Sequence, residues 1–167
     1  MNPFQILALS PQLTLTEHQI KEAYNQVNKT EETLQARNFL LNPVSRLEQW
    51  MSLNNIEIDR HASIPADFIE VFSQISECVN TVGQLSVKKE KATSLLAQTL
   101  LDKKLFEQKP KIDQLVQVLN ALKDQRLSEL IKLQKSFNPE QANIILQNLK
   151  FIQKWSAALD KSYTLLL

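Results

Sequence analysis

The chain has 167 residues, Lys+Arg 19 against Asp+Glu 18 for a formal net charge of +1, and a single glycine. Near-neutral charge leaves no strong field to gather nucleic acid or anionic lipid, which argues against polyanion binding. One glycine argues against a turn-rich β architecture, since tight hairpins draw on glycine for positive φ, and Cys78 as sole cysteine excludes an intramolecular disulfide.

Apolar residues recur at helical spacing, so the expected fold class is all-α. A short first helix is expected over 3–9, stopping at Ser10-Pro11. The second starts at Thr14 or Thr16, where Thr14 with Glu17, or Thr16 with Gln19, fits a capping box, and it runs through Ile20, Ala23, Tyr24 and Val27. A third begins at Thr30 and carries Leu34, Phe39, Leu40 and Leu41. Asn42-Pro43 then supplies an N-cap and first-turn proline for a fourth, through Val44, Leu47, Trp50 and Met51. These helices form an N-terminal unit over 1–53. The polar stretch "NNIEIDRHASIP", ending at Pro65, reads as a linker over 54–65. Four longer helices are expected beyond it, over 66–82, 86–108, 111–136 and 139–166, as an antiparallel bundle filling 66–167, with joints at Gly83, Pro110 and Pro139.

The last helix carries two apolar stripes. Ala142, Ile145, Leu149, Ile152, Leu159, Tyr163 and Leu166 form a core-facing one; Ile144, Phe151, Trp155, Ala158 and Leu165 form a second, rotated by about 120°. Either a bundle covers the whole arc or the second stripe docks another protein. The helix near Ala92 to Phe106 repeats the ambiguity: Leu95 and Phe106 share a face, Leu96 and Leu100 flank it, and Leu101 and Leu105 point elsewhere.

Nothing in the pattern points to an enzyme. Two distant histidines, His18 and His61, one cysteine and no glycine-rich loop give no nucleophile-base pair, phosphate cradle or metal-ligand spacing, so no catalytic residue, metal or cofactor is expected. Cys78 reads as a small buried hydrophobe. The lysines of "VKKEK" read as a solvated helix start, not a nucleic-acid patch. The opening residues have neither the basic start nor the apolar core of a signal peptide, and no run approaches the roughly 20 apolar residues that span a bilayer. A soluble cytoplasmic protein is the expectation.

"NPFQILALSPQLTLTEHQIKEAYNQV" resembles the first two helices of a J domain, and "LLNPVSRLEQWMSLNNIEID" resembles the end of such a domain in HscB-type iron-sulfur co-chaperones. "LLAQTLLDKKLFEQ" is similar to that family's first C-terminal helix and "FNPEQANIILQNLKFIQKWSAALDKSYTLLL" to its last. The stretch near 66–82 has no counterpart and reads as an extra helix. The resemblance implies a J domain that recruits and stimulates a heat-shock ATPase chaperone, and a C-terminal bundle that holds the scaffold protein, of IscU type, on which iron-sulfur clusters are built. Joining both on one molecule raises effective concentration.

J domains carry His-Pro-Asp between their second and third helices. Here "NKTEET" fills that place, the tripeptide occurs nowhere, and basic residues on the second helix are sparse, mainly Lys21 and Lys29. The resemblance therefore implies a degenerate J-like unit retained as structure, without ordinary chaperone ATPase stimulation. The family's scaffold contacts fall by motif match on Leu95, Leu96 and Phe151, with Thr99 and Leu100 both able to take a further leucine position. Ala97 and Lys103 stand where acidic residues are expected. Trp155 joins the candidate partner-binding set, Leu95, Leu96, Leu100, Phe151 and Trp155, through the second stripe. The alternative is a structural protein whose second stripe is buried against an identical chain as a homodimer.

Overall fold

The computed structural model describes residues 1–61 and 64–167. Among these there are eight helices and no strand: α1 Pro3–Ile6, α2 Glu17–Gln26, α3 Glu31–Leu41, α4 Pro43–Leu53, α5 Ala66–Lys91, α6 Leu95–Phe106, α7 Lys109–Leu133 and α8 Pro139–Thr164. They pack as helical bundles around apolar clusters. Two compact units divide the chain, one of Met1–Ala62 with Arg126–Leu149, the other of Ser63–Gln125 with Lys150–Leu167. The end of α7 and the start of α8 thus belong with the N-terminal helices.

In the first unit, local chemistry sets the helix ends. Thr16 and Gln19 form the reciprocal capping box of α2, Thr30 and Thr33 that of α3, and the Asn42 side chain accepts from Val44 and Ser45 to start α4 on Pro43. Helix α1 is shorter than expected. It stops at Ile6 because Ala8 takes φ 53°, with Ala8 N donating to Gln5 O at 3.0 Å and Leu9 N to Phe4 O at 2.8 Å, a paired closure of the helix end. Helix α4 closes the same way at Asn55, where Ile56 N donates to Met51 O at 2.9 Å.

Phe4, Leu7, Leu15, Ile20, Ala36 and Leu40 form one core of this unit, and α3 packs against α1, α2 and α4. Val44, Leu47, Met51, Leu130, Ile145, Leu146 and Leu149 form another. A buried cation is tied down here: Arg46 donates to Leu40 O at 2.6 Å, and burial lowers its pKa.

The linker expectation needs correction over its first half. Ile56 and Ile58 pack on the second of these cores. Asn143 donates to Glu57 O at 3.0 Å and accepts from Asp59 N at 2.8 Å, while Gln147 donates to Asp59 O at 2.5 Å. The Ile56 and Ile58 side chains and the amides of Asn143 and Gln147 on α8 hold this irregular run in place. Ala62 and Ser63, also within the expected linker, lie outside the described residues.

In the second unit the expected joint at Gly83 is also corrected: α5 runs through it for 26 residues, and the break falls at 92–94, where Ser94 accepts from Ala97 N to start α6. A glycine costs about 1 kcal/mol in a helix interior, and the buried series Phe68, Ile75, Cys78 and Val82 outweighs that. These side chains close with Leu105, Ile112, Leu115, Leu119, Ile152, Trp155 and Leu159 into one core. Three lysines, Lys88, Lys89 and Lys91, oppose the dipole at the end of α5.

Candidate functional site

Helix α6 is held mainly along one edge. Leu105 is its buried residue among those described, and Lys89 of α5 pairs with Asp102 at 2.5 Å. Gln98 donates to Ala92 O at 2.9 Å, bracing the preceding turn. The opposite side is open: Leu95 is 79% exposed, Leu96 71%, Leu100 54% and Phe106 66%. At about 100° per residue, Phe106, Thr99, Lys103, Leu96 and Leu100 all fall within about 140° of Leu95. Four large apolar side chains therefore share one solvent-facing arc with Lys103 among them.

The five sequence-predicted partner residues separate into two groups. Leu95, Leu96 and Leu100 lie together on the open arc of α6. Trp155 does not lie on a free face; it is 4% exposed and ringed by aromatics, with Phe68 at 5.7 Å, Phe72 at 5.4 Å and Phe151 at 5.7 Å between ring centroids. Phe151 is partly buried, its ring 18° from parallel with Trp155. The second stripe of the last helix is thus interrupted, because α5 brings Phe68 and Phe72 onto it. Ile144 and Leu165 remain exposed at its two ends. Sequence reasoning put Phe106 on the face of Leu95 without including it in the set, and gave Phe72 no role; only the packing of α5 identifies the latter.

The turn between α2 and α3 is short and internally satisfied. Val27 closes α2, Thr30 opens α3, and Thr33 Oγ1 donates to Asn28 O at 2.8 Å. Lys29 donates to Tyr24 O and stands over the Tyr24 ring at 3.9 Å, with Arg37 over the same ring at 5.1 Å. Two of this region's cations are thereby gathered on one aromatic.

The other titratable candidates are dispersed. His18 is exposed beside Glu22 at 3.9 Å, and the His61 backbone donates to Asp59 Oδ1 at 2.8 Å. Cys78 is buried, and burial pushes its thiol pKa up, the direction of an unreactive thiol. Among the described residues, no group of three or more His, Cys, Asp or Glu is placed to hold a metal ion, and no helix is long and apolar enough to cross a membrane. No family model matches the chain, and neither the curated proteins nor the solved structures contain a match to it.

Proposed function

We propose that this chain is a non-catalytic, co-chaperone-like protein that binds an iron-sulfur scaffold of IscU type, or another client protein, through α6, with the J-like N-terminal helices retained as structure. The observation that carries the reading is the open arc of Leu95, Leu96, Leu100 and Phe106. Full burial of such a side chain is worth roughly 1.5 to 3 kcal/mol. Leaving four of them in water forgoes several kcal/mol, which a partner recovers in part after the costs of association. The resemblance of "LLAQTLLDKKLFEQ" to the scaffold-binding helix of HscB-type co-chaperones supplies the partner class. The closed 27–30 loop, without His-Pro-Asp, supports a protein that does not drive a heat-shock ATPase in the ordinary way.

Calorimetric titration with the IscU-type scaffold of the same organism tests the reading. Heat is expected with the wild-type chain and its loss with Leu96→Ser plus Leu100→Ser. Absence of heat with wild type refutes the scaffold as client. Light scattering on the same samples tests self-assembly: a dimer dispersed by the same two substitutions would assign the arc to a second copy. A steady-state assay in which the chain accelerates the chaperone ATPase would overturn the structural role of the J-like unit.

A further inference from the structure

The charges on α6 say more about its occupant than its leucines do. Lys103 sits inside the apolar arc, with Thr99 and Leu100 one turn before it and Phe106 one turn after. Lys104 lies at the arc's edge, one turn beyond Leu100. Both lysines are exposed, and neither forms an ion pair among the described residues, whereas the nearby Asp102 is engaged by Lys89 at 2.5 Å. A partner that covers the leucines must therefore also cover an ammonium in the middle of the contact. That is costly unless a carboxylate meets it.

We propose that the occupant of α6 is an amphipathic helix of a partner protein that carries carboxylates, one within its apolar contact face and one at the rim, to meet Lys103 and Lys104. This rests on the client-binding reading of α6 and specifies the partner's chemistry. A helix fits because the arc is a convex stripe about 18 Å long at about 1.5 Å per residue, which a second helix covers by ridge-into-groove packing.

A second copy of this chain fits poorly. In a two-fold contact the arc packs on its own copy, which brings a second Lys103 and Lys104 into the same face. An anionic membrane fits poorly for another reason. Helices that lie in a bilayer interface keep their lysines on the polar face, whereas Lys103 is surrounded by the residues that would have to insert.

The test uses the full chain and two labelled helical peptides of about 18 residues with the same leucine stripe, one bearing glutamates beside and within it, the other lysines. In fluorescence anisotropy at low salt, the glutamate peptide is expected to bind about tenfold more tightly than the lysine peptide. Lys103→Glu with Lys104→Glu should reverse that order, and high salt should shrink the difference. Equal affinities, or a preference of the wild-type chain for the lysine peptide, would overturn the acidic partner while leaving α6 as a docking face. Failure of the wild-type chain to bind either peptide would overturn both. Co-sedimentation with phosphatidylserine vesicles, lost in the double lysine variant, would reassign the arc to a membrane and overturn the proposal. So would a dimer dispersed by Leu96→Ser plus Leu100→Ser.

Discussion

Helix α6 and the Lys150–Leu167 part of the chain belong to the same unit and both carry aliphatic and aromatic side chains at helical spacing, yet they are used in opposite ways. In α8, Ile152, Trp155 and Leu159 are enclosed by α5, α6 and α7, and even the offset Phe151 stacks against a core ring. In α6, Leu105 enters that core while Leu95, Leu96, Leu100 and Phe106 face water. The difference teaches that apolar periodicity states a demand for burial without saying who meets it. The neighbours decide, and α5 supplies Phe68 and Phe72 to one helix but no cover to the open arc of the other.

Substitutions that remove equal chemistry from the two helices should separate them. The largest effect is expected from Trp155→Ala, which leaves a cavity among Phe68, Phe72 and Phe151 and should lower stability by about 3 to 5 kcal/mol in denaturant unfolding. A loss below about 1 kcal/mol would show that this ring is not enclosed. Phe151→Ala removes a partly buried, stacked ring, so an intermediate loss of about 1 to 3 kcal/mol is expected. Should that variant keep full stability and yet lose binding of the proposed client, the division between the two helices would move to include Phe151 in the proposed docking face.

Leu96→Ala tests the other side. Its effect on stability should stay within about 0.5 kcal/mol, because the side chain is 71% exposed, while client binding should weaken by about 1 to 3 kcal/mol. The smallest effect has the opposite sign. Gly83→Ala should raise stability by about 0.4 to 1 kcal/mol in the same unfolding assay, since Gly83 is helical and an added Cβ meets nothing within 4 Å. Destabilisation there would mean that the joint expected at Gly83 from the sequence has some reality in solution.

Much of the fold was legible before the structure. The all-helical class, a capping box at Thr14 or Thr16, of which Thr16 with Gln19 is the one formed, and the Asn42-Pro43 start are each written in a few adjacent residues, because a cap is satisfied by groups within one turn. The Asn138-Pro139 start of α8 is read in the same way, with Asn138 accepting from Glu140 N at 3.0 Å. Other boundaries were not legible, because they depend on longer-range competition. Gly83 looked like a break until four buried side chains of α5 outweighed its propensity. Residues 56–59 looked like a polar linker until Asn143 and Gln147, more than 80 positions away, supplied the hydrogen bonds that hold them.

The candidate site divides along the same line. Leu95, Leu96 and Leu100 were named by motif match on the stretch that forms α6, and their exposure is compatible with a contact surface. Trp155 was selected with equal reason from its stripe and is enclosed. By itself the sequence determined the all-helical class, caps such as that of Asn42-Pro43 and the surplus of apolar faces, since these follow from spacing along 3.6 residues per turn and from hydrogen bonds between near neighbours. Only the tertiary structure decided which surplus is covered within the chain and which is left open on α6, because burial depends on which remote side chains arrive at each face.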